Sequence, residues 1–173
     1  MSDPDQRLLL VMRHGKAEST SADGDHEREL TSKGRAQAEL VGDYLASQGV
    51  LPTRVLVSDA LRTRQTWDAV ASRMPDFHGS ATLESDLYLA HISDVLDVLQ
   101  RIDDEDQVVM IVGHEPTMSG LGQYLADDDS DAASEAQVRI GLPTGGLCVF
   151  SGSLEHWADL GADSLTLHTV VRG

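Results

Sequence analysis

Two uninterrupted apolar runs constrain the fold most: residues 8–12 (LLLVM) and 108–112 (VVMIV). Each is short for a buried helix and far below the ~20 residues that cross a bilayer. Neither alternates with polar residues as a half-buried strand would. They predict strands buried on both faces, the pattern of a parallel sheet covered by helices. Each run leads at once to a histidine beside a glycine, His14 with Gly15 and His114 with Gly113.

The rest of the chain alternates in the same sense. Residues 31–47 predict a helix capped by Thr31 or Ser32, with Ala36, Leu40 and Tyr44 on one face and Gly49 at its end. Residues 54–57 predict a strand and 60–74 a helix stopped by Pro75. Residues 93–102 predict a helix capped by Ser93. Pro116 suits the first turn of the next helix, which Met118, Leu121 and Leu125 line. Residues 147–150 and 165–171 predict two strands with no clear helix between them. The expected fold is a three-layer α/β/α sandwich, its central sheet mostly parallel with an antiparallel edge. No linker divides the 173 residues, so one domain over 1–173 is expected.

Composition narrows the function. The formal charge is −16, a field that repels nucleic acid and anionic membrane. The acidic runs 103–106 (DDED) and 127–131 (DDDSD) are expected in solvated loops, and neither has the glycine and closing glutamate of a calcium loop. The acidic, polar start MSDPDQ is no signal peptide, and a lone Cys148 in an apolar run allows no disulfide framework, so a soluble cytoplasmic protein is expected. Eleven of the thirteen cationic residues are arginine, the exceptions being Lys16 and Lys33. Arginine is the better bidentate ligand for phosphate or carboxylate.

In open α/β sheets ligands bind beyond the carboxyl ends of the strands. Arg13, His14, Arg62 and His114 all follow predicted strands there. A neutral imidazole can attack phosphorus, arginines can hold the equatorial oxygens, and a second histidine can donate to them. The rival reading is a zinc site of the two histidines with Asp59 or Glu115. It lacks a second histidine at helical ligand spacing, and the arginines would repel the cation.

The segment LLLVMRHGKA, with Arg13, His14 and Gly15, resembles the signature of the histidine phosphatase superfamily, the phosphoglycerate-mutase-like fold. ELTSKGRAQA resembles its LTxxGxxQA element (Leu30, Thr31, Gly34, Gln37, Ala38). VLVSDALRTRQT resembles its SxxxRTxQT element (Ser58, Arg62, Thr63, Gln65, Thr66), and VGHEPTMS its second-histidine element. The resemblance implies a catalytic nucleophile at His14, a phosphoryl clamp of Arg13 and Arg62, and a second pocket histidine at His114. It also implies a further phosphate contact at Arg28. Lys16 either adds positive potential or points to solvent. No metal or cofactor is implied.

The short chain, RHGKA, GHEP and LPTGG look like the small phosphohistidine phosphatase branch. Other branches carry a glutamate–glycine proton donor between the second arginine and second histidine. Here that stretch, TLESDLYLAHISD, has only Glu84, and Glu115 is the other carboxylate near the motif. Weak acid equipment favours a P–N bond over an unactivated ester. The expected substrate is a phosphoryl group on a histidine-phosphorylated protein, with inorganic phosphate as product. A sugar-phosphate monoesterase and a non-catalytic phospho-recognition module remain open. A monomer is favoured, and the site is expected to be open unless the loop 76–92 folds over it.

Overall fold

A computed structural model describes residues 3–173; the first two residues of the acidic N-terminal segment lie outside them. Among the described residues there are six strands and five α-helices. In chain order they are β1 (Gln6–Arg13), α1 (Ser32–Ser47), β2 (Arg54–Ser58), α2 (Leu61–Ala71), β3 (Ser80–Glu84), α3 (Ile92–Gln100), β4 (Val108–Gly113), α4 (Thr117–Leu125), α5 (Ala132–Ile140), β5 (Leu147–Ser153) and β6 (Thr166–Val171). One sheet runs β3-β2-β4-β1-β5-β6. Its first four strands are parallel; β5 pairs antiparallel with β1 and with β6. This is the expected α/β/α sandwich with an antiparallel edge.

The period of two along each strand sends alternate residues into two cores. Leu9, Val11, Val109 and Ile111 face α3, α4 and α5, while Leu10, Met12, Met110 and Val112 face α1 and α2. All eight are fully buried, which explains why both central runs are apolar throughout. Truncating such a leucine to alanine costs about 2–5 kcal/mol.

Several local expectations change. Thr31 does cap α1, its hydroxyl accepting from the Gly34 N–H at 3.0 Å. The buried face of α1 is Ala38, Val41 and Leu45, however, and Leu40 is exposed. Leu40, Ala36 and Tyr44 do lie one turn apart, but Gly34 and Gly42 are the positions that approach neighbouring backbone, at Lys16 and Val70. His91 rather than Ser93 caps α3; its N–H is taken by the Asp94 carboxylate at 2.8 Å. The segment 76–92 contains β3, and α5 follows the second acidic run; neither element was anticipated.

The acidic runs are more than solvated loops. Asp104 accepts from the Trp157 N–H and from His156, both at 2.8 Å. Beside it, buried Arg7 donates to the carbonyls of Leu154, Asp104 and Glu155. Asp131 caps α5, accepting from the Ser134 N–H at 2.9 Å. Asp127 accepts from the Thr166 hydroxyl at 2.7 Å and ties this turn to β6. Cys148 is buried, and burial pushes its thiol up to about 12. No helix among the described residues is long and apolar enough to cross a membrane.

Candidate active site

The site begins as a matter of register. β1 and β4 are adjacent and parallel, with Arg13 opposite Gly113. His14 and His114 therefore leave neighbouring strands at the same level, and the His14 N–H donates to the Gly113 carbonyl at 3.1 Å. Their ring centroids are 5.4 Å apart. β2, on the other side of β4, delivers Ser58, and the next helix, α2, delivers Arg62 from its first turn.

The His14 ring is oriented by its own loop. Nδ1–H donates to the Gly15 carbonyl at 2.7 Å, which leaves the lone pair on Nε2. The residue is 8% exposed. Burial, with Arg62, Arg13 and Arg28 nearby, lowers its pKa to about 4, against the bond to Gly15. His114 Nε2 lies 2.7 Å from the Ser58 hydroxyl. Burial, then Arg62 and His14, lower its pKa to about 3. Both imidazoles are neutral at pH 7, although the surrounding surface is acidic.

Each arginine is tethered by one edge. Arg13 Nη1 donates to the Leu142 carbonyl at 2.8 Å. Arg62 Nη1 donates to the Asp25 carbonyl at 2.8 Å and Nη2 to its carboxylate at 3.2 Å. Arg13 Nε, Arg62 Nε and His114 Nδ1, like Arg64 Nε further out, are buried and have no partner among the described residues. Buried donors are rarely left unpaired, and a group of them around one pocket suits an anion. Arg28 is brought to the same cluster by Asp25, to which its Nε donates at 2.9 Å, and its Nη1 reaches the Glu18 carbonyl. The five residues singled out from the sequence are thus gathered at one edge of the sheet.

The remaining motif residues hold the loop behind His14. A Cβ on Gly15 would lie 2.5 Å from the Gly34 carbonyl oxygen, and one on Gly34 would lie 2.1 Å from that of Lys16. Only glycine at both positions lets this loop rest on the start of α1. Thr66 Oγ1 accepts from the Gly15 N–H at 3.0 Å, and Gln37 accepts from the Lys16 N–H at 2.9 Å. Gln65 accepts from the Leu30 N–H at 2.8 Å. In the LPTGG segment, the Gly145 N–H donates to the His14 carbonyl at 2.9 Å, so that segment closes the far side. The Lys16 side chain is exposed and makes no hydrogen bond or ion pair among the described residues.

Neither glutamate considered as an acid faces the pocket. Glu115 accepts from the Ser119 N–H at 2.7 Å, the Ser119 hydroxyl at 2.6 Å and the Leu142 N–H at 3.1 Å. It supports the loop whose carbonyl holds Arg13. Glu84 accepts from the Thr82 hydroxyl and lines a separate cleft with Arg54 and Arg101. Asp59 is taken by His26 Nε2 at 3.0 Å. The two carboxylates of the zinc reading are therefore turned to other partners, and no cluster of three or more metal-ligating side chains forms among the described residues.

Two residues at the site were not foreseen. Asp25 receives Arg62, Arg28 and the Tyr88 hydroxyl on one carboxylate. The Tyr88 bond above all, with Arg28 and Arg62, brings its pKa down to about 2 against desolvation, which raises it. Tyr88 arrives from the segment expected to be a loop; its ring lies 5.7 Å from that of His114 and 5.9 Å from the Arg62 guanidinium. The only available sequence signal was the Asp25–Arg28 spacing of three residues.

Residues 9–87 match the family model described as histidine phosphatase superfamily, branch 1. The chain is 30% identical to phosphohistidine phosphatase SixA of Escherichia coli, over 70% of this chain and 76% of that protein. It is 33% identical to an uncharacterized protein of Mycobacterium tuberculosis, over 86% of this chain and 91% of the relative. Among solved structures it is similar to a candidate phosphohistidine phosphatase SixA from Nakamurella multipartitia, with TM-score 0.78 and 29% identity over 96% of this chain and 95% of that one.

Proposed function

This chain belongs to the histidine phosphatase superfamily and is a hydrolase of the phosphatase kind, and we propose that it removes the phosphoryl group from phosphohistidine on a protein through a covalent intermediate on His14. The observation that carries the choice of substrate is the state of the carboxylates. Glu115 and Glu84 point elsewhere, and Asp25, the carboxylate paired with Arg62, is held ionised by three donors. Among the described residues no carboxylic acid is poised to protonate an alkoxide. A phosphohistidine nitrogen that is already protonated leaves as neutral imidazole and needs no such acid.

His14 Nε2, with its lone pair free, forms a bond to phosphorus as the P–N bond of the substrate breaks. The electron pair of that bond stays on the departing imidazole. Arg13 Nε, Arg62 Nε and His114 Nδ1 supply donors to the equatorial oxygens. For His114 this requires the ring proton on Nδ1, in which case the Ser58 hydroxyl, 2.7 Å away, donates to Nε2. Water then forms a P–O bond as the P–Nε2 bond breaks, releasing inorganic phosphate and neutral His14.

The test is to give the protein a substrate labelled on phosphohistidine and follow both phosphate release and an acid-labile, base-stable label on the chain. Turnover with label on the wild type and neither on His14→Ala is the expected result. Label and turnover persisting in His14→Ala would overturn the mechanism. Faster turnover of sugar phosphates than of phosphohistidine would overturn the substrate assignment, and sensitivity to EDTA would contradict a metal-independent route.

A further inference from the structure

We infer that Asp25 is a specificity-determining residue, selecting substrates whose leaving group is cationic or neutral and carries an N–H, and rejecting those with a second anionic group close to the phosphoryl. The inference deepens the phosphohistidine reading and rests on it for the identity of the favoured substrate.

The geometry of displacement locates the leaving group. Attack by His14 places it in line, on the side of phosphorus away from the imidazole. His14 and Arg62 form the buried floor at 8% and 5% exposure, whereas the Asp25 side chain is 56% exposed. The leaving group must therefore pass the mouth, where Asp25 stands.

The mouth has its own charge pattern. Arg28 is paired with Asp25, and His26 lies between Glu27 and Asp59, each 3.0 Å from a ring nitrogen. Both ring nitrogens facing carboxylates raises the His26 pKa, chiefly through Glu27 and then Asp59. Arg64 also reaches Glu27, at 3.8 Å. Arg28, His26 and Arg64 each face a carboxylate, whereas Arg13 on the floor has none as a partner. A phosphoryl group meets the floor; a second anion beside it meets Asp25.

Asp25 is also built to receive a donor. Its Oδ1 accepts from Arg28 and its Oδ2 from Arg62 and Tyr88. A carboxylate offers about four acceptor sites, so one is left, on an oxygen already fixed in place. The Tyr88 ring beside it already carries the Arg62 guanidinium, 5.9 Å from its centroid, which helps to hold this oxygen in place. The N–H of a protonated imidazole fits this acceptor, and a carboxylate-bearing ester does not.

The experiment compares kcat/KM for phosphohistidine, para-nitrophenyl phosphate and phosphoglycolate in the wild type, Asp25→Asn and Asp25→Glu. Asp25→Asn is expected to raise phosphoglycolate relative to para-nitrophenyl phosphate by about tenfold, through loss of one close repulsion, and to lower phosphohistidine relative to both. Asp25→Glu keeps the charge and should retain the wild-type order. An equal fall on all three substrates in Asp25→Asn would leave Asp25 a mere brace for Arg62 and overturn the inference. The phosphoglycolate to para-nitrophenyl phosphate ratio decides this without reference to phosphohistidine. The wild-type preference alone decides the phosphohistidine reading, so the two can fail separately.

Discussion

Lowering the pH tests the electrostatic state of His14 directly. An ordinary histidine titrates near 6.5, and this one is held at about 4. At pH 5 a group with that pKa is still about 90% neutral, whereas an unperturbed imidazole is only about 3% neutral. The nucleophile concentration, and with it the enzyme's share of kcat/KM, should then exceed that of an unperturbed site about 30-fold. NMR titration of ¹⁵N-labelled imidazoles measures this without interference from substrate ionisation, and it also reports the tautomer. His14 should show a protonated Nδ1 and a bare Nε2 down to about pH 5. The same shift appears in stability. Between pH 6.5 and about 4 the unfolded chain binds a proton on this residue that the folded chain does not. Stability is therefore full above 6.5 and falls as pH drops through that window, by about 3 kcal/mol for His14 alone. His114 titrates in contact with it, so the two contributions do not simply add. A midpoint near 6.5 for His14, or a proton found on Nε2, would refute the account of how burial and the Gly15 carbonyl prepare the nucleophile.

Ser58→Ala should lower kcat about tenfold while leaving KM nearly unchanged, and the His114 ring proton should no longer be confined to Nδ1 by NMR. Arg62→Lys should lower kcat/KM about 100-fold, because one ammonium cannot both hold Asp25 and present the edge that Nε occupies; single-turnover kinetics would check it. Gly34→Ala pushes a methyl to within 2.1 Å of the Lys16 carbonyl oxygen, so about 1–3 kcal/mol of stability and several degrees of Tm should be lost.

What the sequence could reveal followed the range of the interactions. The two central strands were legible because burial on both faces leaves an unbroken apolar run, and the histidines after them came along with their strands. Arg13, His14, Arg62, His114 and the sandwich itself follow from that pattern and from the motifs. β3 was not legible because SATLE sits at an exposed sheet edge and carries little burial. α5 was hidden because AASEAQVRI buries only Ser134 and Val138. The face of α1 was misjudged because small residues, Gly34 and Gly42, make the close approach while the larger Leu40 stays outside. Asp25 and Tyr88 meet across 63 residues, and Asp25 and Arg62 across 37. No local spacing announces such contacts, so the mouth of the site emerged only with the fold.

The pairing of Arg13 with Gly113 makes the two histidines hostages to the middle of the sheet. A one-residue slip between β1 and β4 would send both apolar sets to the wrong layers, so the register persists as long as the cores do. In rising denaturant, His14 and His114 should stay together until global unfolding, and their backbone amides should exchange only through it. The Asp25 segment is tied by two half-buried bonds from Arg62 and by exposed bonds with Arg28 and Tyr88, and it can open earlier. Discrimination between leaving groups is then the first property the enzyme loses under stress, and the ability to take up a phosphoryl group the last.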